Sequence, residues 1–336
     1  MPHEGDRQDR LWVAWPTKGY TLGDTAEDAD VARRTWSAVA NAAAHFQPVT
    51  VVVDPRAVGI ARHYLDSQID IRVRDIDDAW IRDSGPTFVT DGARLGAVTW
   101  VFNGWGQQDW ATWDLDATLG PAVADWAGAE RVDSRLVNEG GGIHVDGRGT
   151  ALVTDTVQRD PGRNPGLSRA DVEAELVRTI GATTVVWLPR GLTRDSDTFG
   201  TRGHVDIVAT FSSPGVVLLH DQRDDAHPDH AVTAEIRTAL ADAVDADGRR
   251  LEIVDLPAPA ALRDAEGFVD YSYVNHVLVN GAVLACSFDD PHDADAAMIL
   301  RDVYPGREVV LVDARPLFAR GGGIHCITQQ QPAVAP

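Results

Sequence analysis

Runs of β-branched residues alternate along the chain with stretches of helical periodicity. A predicted helix is followed by a predicted buried strand four times, which is typical of α/β proteins. Ser168 is a predicted helix N-cap, because Asp171 lies three residues later, as in a capping box. No linker rich in Pro, Gly or Ser divides the sequence, so we expect one domain over residues 1–336. The predicted helix and strand pairs are 29–46 with 48–54, 168–180 with 183–188, 229–244 with 251–255, and 293–303 with 308–313.

Internal repeats add to this pattern. The pentapeptide GGGIH occurs twice and the related GHVD once, at 140–144, 321–325 and 203–206. The histidines of these motifs are separated by 60 and then 121 residues, about twice 60, and a step of about 60 leads back to Asp83 and forward to position 265, just before YSYVN at 271–275. Five units of about 60 residues would fill most of the chain. We therefore predict five α/β units in a ring, each of which brings a polar motif to a central axis.

Acidic residues outnumber basic residues by 51 to 30, which gives a formal net charge of -21. Nucleic acids and anionic membranes require a basic surface, so we expect neither as a partner. The charge would attract small cations, although an acidic surface can also serve solubility alone. The polar start MPHEGDRQDR lacks the apolar region of a signal peptide, and no run of 18 apolar residues occurs, so we expect a cytoplasmic protein.

Two cysteines cannot form a disulfide framework in a chain of this length, so each thiol is a candidate nucleophile. Cys326 follows three glycines in RGGGIHCITQQQP (320–332), and glycine lets the backbone approach a ligand closely. We predict that Cys326 lies at the start of a short strand, IHCIT, and acts as a nucleophile. The alternative is a buried structural cysteine, which is the role we predict for Cys286 in the apolar run AVLAC.

The GHVD motif places His204 and Asp206 two residues apart, so that on a strand both side chains point to the same face. A histidine near a thiol can hold it as a thiolate and then transfer protons, and a carboxylate alongside can bind a cation or orient the ring. Two alternatives stay open, a histidine that caps a turn beside an unrelated surface aspartate, and zinc ligation by Cys, His and Asp. No CxxC or HExxH spacing in the sequence supports zinc.

The segment DDAWIRDSGPTF (77–88) combines carboxylates with Trp80. Asp83 in this apolar and aromatic setting would be a strong partner for a guanidinium, which can donate two parallel hydrogen bonds to a carboxylate. Asp83 could equally pair with Arg82 on the surface.

The segment NEGGGIHVDG (138–147) offers Glu139 before a glycine run. Glu139 could accept the ring proton of His204 and fix its tautomer, whereas we expect His144 and Asp146 to be structural. The combined set is one thiol, one histidine and two or three carboxylates, with no basic residue required. Such a set suits a cationic, carbon-centred electrophile, because carboxylates can hold the cation while the thiolate attacks it. A guanidinium fits best.

These motifs resemble those of the agmatine deiminase branch of the guanidino-group modifying enzymes, which is related to bacterial peptidylarginine deiminases. The resemblance covers nearly the whole chain, from VAWP (13–16) to GGGIHCITQQQP. It implies the pentein fold, an α/β propeller of five blades with pseudo-five-fold symmetry, in agreement with the repeat. One departure is Gly323, because many members have asparagine before IHC, and this concerns the shape of the nucleophile loop.

The resemblance also implies a reaction, the hydrolysis of agmatine to N-carbamoylputrescine and ammonia through an amidino-thioether on the cysteine, with no metal and no organic cofactor. We therefore expect a small cationic substrate as the partner, and we leave a homodimer open as the assembly. Alternatives are a deiminase of free or peptidyl arginine, a cysteine amidase, and a non-catalytic polyamine-binding protein on the same fold. The roles implied are nucleophile for Cys326, general acid/base for His204, guanidinium binding for Asp83 and Asp206, histidine support for Glu139, and substrate binding for Trp80 and Asn275.

Overall fold

The computed structural model describes residues 1–197 and 199–334. Strands in these residues form five small sheets. The strands are β1 Gln8–Ala14, β2 Val49–Val53, β3 Asp70–Val73, β4 Thr87–Thr90, β5 Leu95–Val101, β6 Glu130–Val137, β7 Ile143–Val145, β8 Thr150–Thr154, β9 Thr184–Leu188, β10 Ala209–Ser213, β11 Val216–Asp221, β12 Glu252–Pro257, β13 Val277–Val279, β14 Ala282–Ser287, β15 Glu308–Asp313 and β16 Thr328–Pro332.

Helices connect the strands, and short 3₁₀ turns stand at several loop positions. The α-helices are α1 Gly19–Leu22, α2 Ala26–Ala44, α3 Val58–Tyr64, α4 Ile81–Ser84, α5 Gly104–Gln107, α6 Leu119–Ala127, α7 Asp155–Gln158, α8 Arg169–Ile180, α9 Asp229–Asp242, α10 Asp293–Val303 and α11 Arg315–Phe318. The 3₁₀ turns are Pro55–Ala57, Asp116–Thr118, Gly140–Gly142, Arg194–Ser196 and Val205–Ile207.

Four of the sheets share one topology, with strand orders β4-β5-β6, β7-β8-β9, β10-β11-β12 and β13-β14-β15. In each sheet the first two strands are antiparallel and the third runs parallel to the second. The fifth sheet, β16-β1-β2-β3, joins the two ends of the chain because β16 pairs antiparallel with β1. This pairing closes the ring between the first and last units. The five-bladed α/β propeller predicted from the repeat is confirmed.

The first strands of the blades begin at Thr87, Ile143, Ala209, Val277 and Thr328, about 60 residues apart on average, so the repeat in the sequence is the repeat of the blades. Each predicted polar motif lies at the start of one of these strands, and its candidate residue precedes the strand. Equivalent loops of a closed ring meet at its centre. Asp83 precedes β4, Glu139 precedes β7, His204 and Asp206 precede β10, Asn275 precedes β13, and Cys326 precedes β16.

The predicted helix and strand boundaries agree with the structure to within a few residues. The predicted capping box of α8 is confirmed, because the side chains of Ser168 and Asp171 each accept a hydrogen bond from the other's backbone N–H. Helix α2 begins three residues earlier than predicted, at Ala26, since Thr25 and Asp28 form a second capping box that fixes its start.

The strand predicted for IHCIT is wrong. Residues 324–327 form a turn, and β16 begins only at Thr328. The hydroxyl of Thr328 donates to the carbonyl oxygens of Ile324 (3.0 Å) and His325 (3.1 Å), and these bonds close the turn. The thiol therefore lies on a loop before the strand instead of within it.

The GHVD motif does not lie on a strand. His204 has an extended backbone and leads into the 3₁₀ turn Val205–Ile207. The carboxylate of Asp195 accepts a hydrogen bond from the His204 backbone N–H at 2.9 Å, so this donor is not available to a neighbouring strand. The same-face argument based on strand alternation therefore does not apply to this motif.

The strands supply much of the core. All five residues of β2 are buried, and the largest fully buried side chains include Trp12, Trp15 and Trp36. Cys286 on β14 is fully buried, its Sγ donates to the Asn275 carbonyl oxygen at 3.1 Å, and burial raises the pKa of its thiol to about 12. Among the described residues, no helix is both long and apolar enough to cross a bilayer.

Candidate active site

The loops before the first strands of the five blades bring all seven candidate residues together. Each is at least nine-tenths buried. The contacts described below connect them into one cluster. The residues are Trp80, Asp83, Glu139, His204, Asp206, Asn275 and Cys326.

Cys326 lies between a carboxylate and an amide. Its Sγ is 3.6 Å from Asp206 Oδ2 and accepts a hydrogen bond from Asn275 Nδ2 at 3.3 Å. Asn275 also accepts a hydrogen bond from the His325 backbone N–H at 3.0 Å, so it positions the loop as well as the thiol. Burial, followed by the charges of Asp206 and Asp83, raises the pKa of the Cys326 thiol well above its usual value. Burial and these two carboxylates therefore favour the neutral thiol.

Two glycines let the nucleophile loop approach its neighbours. A Cβ on Gly322 would lie 2.9 Å from the Trp80 ring and 3.0 Å from Cys326 Sγ, which also shows that Trp80 lies beside the thiol. A Cβ on Gly323 would collide with Asn275 Oδ1. Because position 323 is glycine instead of asparagine, the nucleophile loop packs directly against Asn275. A larger residue at position 323 would require Asn275 to move.

His204 is fully buried and held by one ring nitrogen. Its Nε2 is 3.2 Å from Glu139 Oε2, whereas Nδ1 has no hydrogen-bond partner among the described residues and lies 3.8 Å from Asp83 Oδ1. Burial alone would lower the pKa of His204, but Asp83, Glu139 and Asp206 together raise it to about 9. The ring is therefore an imidazolium at neutral pH, and Nδ1–H is available to a ligand.

Glu139 is held by a residue that the sequence did not reveal. Arg163, in a loop 24 residues later, donates from Nε to both Glu139 oxygens at 3.0 Å and from a terminal nitrogen to the Thr201 carbonyl oxygen at 2.7 Å. Burial would raise the pKa of Glu139, but the Arg163 and His204 charges lower it below its usual value. Arg163 thus keeps Glu139 ionised and links it to the His204 loop.

Asp83 faces His204 and accepts two hydrogen bonds. Trp105 Nε1 donates to Oδ2 at 2.9 Å, and the Gly141 backbone N–H donates to Oδ1 at 3.2 Å. Burial raises the pKa of Asp83 to about 6; the His204 charge opposes this, while Glu139 and Asp206 add to it. The alternative pairing of Asp83 with Arg82 on the surface is wrong, because both residues are buried and Arg82 contacts Glu4 at 3.3 Å.

A point beside Gly141 shows how closely these groups converge. A Cβ at this position would lie 2.5 Å from His204 Nδ1, 3.0 Å from Asp83 Oδ1 and 3.0 Å from Asp206 Oδ2. Only a glycine leaves this space free. The other oxygen of Asp206, Oδ1, is buried and has no hydrogen-bond partner among the described residues.

Asp206 is supported by a second histidine that sequence reasoning missed. His325 Nδ1 contacts Asp206 Oδ2 at 2.7 Å, and His325 Nε2 contacts Glu4 Oε1 at 2.9 Å. Burial and Arg82 lower the pKa of His325, but Glu4 and Asp206 outweigh them and raise it. Burial would raise the pKa of Asp206, yet the hydrogen bond and charge of His325 lower it. The contact with His325 therefore favours the ionised form of Asp206 beside the thiol.

One cluster has the ligand types of a metal site, namely Glu4, His144 and His325. Its atoms are already committed to hydrogen bonds. His144 Nδ1 accepts from the Phe211 backbone N–H at 3.1 Å and His144 Nε2 donates to the Thr210 hydroxyl at 2.6 Å, while Glu4 binds His325 and Gln330. The guanidinium of Arg82 also forms an ion pair with Glu4. This donor set is organised as a hydrogen-bond network and does not fit a metal.

Asp146 has a local structural environment, as expected. It accepts hydrogen bonds from the backbone N–H groups of Arg148 and Thr150 and from the Thr150 hydroxyl. These bonds close the turn between β7 and β8.

The arrangement can hold a planar cation and attack its carbon. Asp83 and Asp206 supply the negative charge, Cys326 supplies a nucleophile once its proton is lost, and His204 Nδ1–H can protonate a leaving group. One thiol, one histidine and two carboxylates with these roles are suited to the hydrolysis of a guanidinium.

Comparisons with known proteins agree with this chemistry. The sequence model of the Porphyromonas-type peptidyl-arginine deiminase family matches residues 1–332. A Streptomyces coelicolor protein is 54% identical over 334 residues, covering 99% of this chain and 98% of that protein. The agmatine deiminase of Pseudomonas putida is 40% identical over 360 residues, covering 99% of this chain and 95% of that protein. The structure of the agmatine deiminase of Enterococcus faecalis catalysing its reaction has a TM-score of 0.92 at 29% identity, covering 100% of this chain and 96% of that chain. The chain belongs to the Porphyromonas-type peptidyl-arginine deiminase family.

Proposed function

We propose that this protein hydrolyses agmatine to N-carbamoylputrescine and ammonia through a covalent intermediate on Cys326. The observation that carries the proposal is the convergence of unpaired polar atoms beside the thiol. His204 Nδ1 and Asp206 Oδ1 are buried without partners among the described residues, and buried polar atoms are rarely left so. A guanidinium offers N–H donors for the carboxylates and a nitrogen that can accept the His204 proton during the reaction.

The first half of the reaction forms a carbon–sulfur bond. Binding of the cation between Asp83 and Asp206 offsets the negative charge that holds the thiol neutral, so the pKa of Cys326 falls and the thiol releases its proton to solvent. The thiolate attacks the guanidinium carbon and gives a tetrahedral adduct. The carbon–nitrogen bond then breaks, and the departing nitrogen takes the Nδ1 proton of His204 and leaves as ammonia. An amidino-thioether remains on Cys326.

The second half uses the same histidine as a base. Neutral His204 takes a proton from water as the oxygen attacks the thioether carbon, and a second tetrahedral adduct forms. The carbon–sulfur bond breaks, the hydroxyl proton of the adduct passes to the departing sulfur, and the ureido product is released with the Cys326 thiol regenerated. The histidine ends the cycle protonated, as Glu139 and Asp83 favour. Glu139 fixes the ring through Nε2, Asn275 holds the thiol, and Trp80 covers the reacting group.

The proposed function is tested by ammonia release from four substrates at equal concentration, namely agmatine, free arginine, a peptidyl arginine and a neutral amide. We expect agmatine to be preferred over arginine by at least about a hundredfold in kcat/KM, because a misplaced buried carboxylate costs several kcal/mol. Chromatography should identify the product as N-carbamoylputrescine. Equal rates for agmatine and arginine would contradict the substrate, and turnover of the amide alone would contradict the deiminase chemistry.

The pH dependence of kcat/KM for agmatine should be bell-shaped, with limbs near pH 6 and pH 9. As the pH falls through about 6, Asp83 takes up a proton and no longer holds the guanidinium. As the pH rises through about 9, His204 loses the proton that it must give to the leaving nitrogen. Both limbs report a coupled set of groups in the free enzyme. Initial rates of ammonia release measure the profile, and a profile that rises steadily through pH 9 would contradict the protonated histidine.

We propose a single catalytic domain over residues 1–336, since the ring closes only when β16 pairs with β1. The cytoplasm as the location, a homodimer as the assembly and the absence of a cofactor stay predictions.

A further inference from the structure

A small cavity lies where three of the motif loops meet. Gly321 of the nucleophile loop, Asp195 and Gly200 of the His204 loop, and Asp270 of the Asn275 loop all line it. Its volume is about 30 Å³, which is room for one water-sized group. An ammonium group has that size.

The cavity is close to the thiol. A Cβ on Gly322 would lie 3.0 Å from Cys326 Sγ, and Gly321 is the next residue along the loop. Since consecutive Cα atoms are about 3.8 Å apart, the Gly321 wall lies within roughly 8 Å of the sulfur. A four-carbon chain that starts at a guanidinium beside Cys326 covers a distance of that order.

Asp270 is the group in this cavity that lacks a partner. It is 6% exposed, and within the described ranges its carboxylate accepts no hydrogen bond from another residue. Burial and the nearby charge of Asp195 raise the pKa of Asp270 to about 7, and Arg194 opposes them. The carboxylate of Asp195, in contrast, already has hydrogen-bond donors, because it accepts hydrogen bonds from Thr201 and from the His204 backbone N–H. A buried carboxylate that accepts no hydrogen bond from another residue leaves its negative charge uncompensated, and a cation can supply that compensation.

Aromatic rings form another wall of the cavity. Tyr20 and Phe199 stack with their ring centroids 4.1 Å apart, and Phe318 lines the same space. Aromatic faces attract an ammonium group and exclude a carboxylate.

The arginine in the cavity does not offer a carboxylate-binding site. Arg194 is paired with Asp264 at 2.7 Å and with Glu266 at 3.2 Å. The carboxylate of a bound arginine would therefore meet the negative charge of Asp270 and a guanidinium that already has two partners.

We propose that Asp270 is the counter-ion for the ammonium end of the substrate, with Tyr20, Phe199 and Phe318 as the apolar walls of its site. The inference rests on the proposed function and names the residues that make the enzyme select a guanidine with a distant amine. No contact of Asp270 with the guanidinium is required.

The test compares agmatine with n-butylguanidine, which has the same guanidinium and carbon chain but no amine. Wild-type enzyme should prefer agmatine by on the order of a hundredfold in kcat/KM, since a buried charge pair has an effect of this size. In Asp270→Asn the preference should fall to within about threefold of unity, mainly through a higher KM for agmatine, with turnover of n-butylguanidine unchanged. Glu235→Gln, a surface acid paired with Arg190, removes the same charge elsewhere and should keep the wild-type preference.

The outcomes separate this inference from the proposed function. If wild-type enzyme releases ammonia from neither compound, the proposed function fails. If it uses agmatine and Asp270→Asn keeps the hundredfold preference, the deiminase stands and the Asp270 site is overturned. If Asp270→Asn loses both activities because it does not fold, wild-type enzyme decides, since a preference near unity between agmatine and n-butylguanidine overturns the site on its own.

Discussion

Replacing Cys326 by alanine is expected to lower kcat for agmatine by at least about 10⁴-fold while the affinity for agmatine changes by less than about threefold. The thiol forms the covalent bond in the proposed reaction, so its loss removes the pathway. Binding survives because Asp83 and Asp206 hold the cation and neither depends on the sulfur for its position. Asp83 is held by Trp105 and Gly141, and Asp206 is held by His325. Isothermal titration of the inactive variant with agmatine, beside ammonia assays, measures both quantities.

The matched control is Cys286→Ala. Cys286 is as deeply buried but lies in β14, and its sulfur contacts backbone groups of Asn275 and Ile324. Removing its sulfur should leave a small cavity that lowers the free energy of unfolding by about 1 kcal/mol. Its kcat/KM should stay within about twofold of wild type. An equal loss of activity in both variants would show that the nucleophile was assigned to the wrong cysteine, and retained activity in Cys326→Ala would exclude the covalent mechanism.

Much of the fold could be predicted from the sequence because its signals are local. The Ser168 capping box and the alternation of apolar runs involve residues within a few positions of one another. The repeat of GGGIH then extended these local signals to the whole ring, since each copy stands before the first strand of a blade. The repeat also predicted where the candidate site lies, because loops at equivalent positions of a ring meet at its centre.

The prediction failed where a distant polar group decides the local structure. The two-residue spacing of His204 and Asp206 in GHVD is compatible with a strand and equally with the 3₁₀ turn that the structure shows. What distinguishes them is Asp195, which takes the His204 backbone N–H and lies in a loop without periodicity.

Support residues were missed because sequence spacing does not encode their pairing. His325 contacts Glu4 across 321 residues, and Glu4 lies in a polar start that carries no structural signal by itself. Arg163 reaches Glu139 from a loop that contains no motif. The His325–Glu4 contact exists because closure of the ring brings the two ends of the chain together, whereas the Arg163–Glu139 contact joins two loops that are 24 residues apart.

Replacing His204 by glutamine is expected to lower kcat for agmatine by about 10³-fold, within the range that general acid–base groups contribute. Glutamine keeps a polar group near Glu139 but cannot give a proton to the leaving nitrogen. The matched control is His220→Gln, since His220 is another buried histidine but lies on β11, outside the site, and should keep kcat within about threefold.

The diagnostic measurement for His204 uses a substrate whose leaving group needs no proton. The S-methylisothiourea analogue of agmatine, in which S-methyl replaces one terminal nitrogen, releases methanethiolate, a sulfur anion that can leave without taking up a proton. The rate of the first turnover with this analogue should fall much less in His204→Gln than the corresponding rate with agmatine, because the step that needs the Nδ1 proton is bypassed. The second step, attack of water, should stay slow with both substrates, so the amidino-thioether should accumulate and appear in intact mass spectra of the variant. An equal penalty for both substrates in the first turnover would contradict His204 as the acid and leave it as a group that only positions its neighbours.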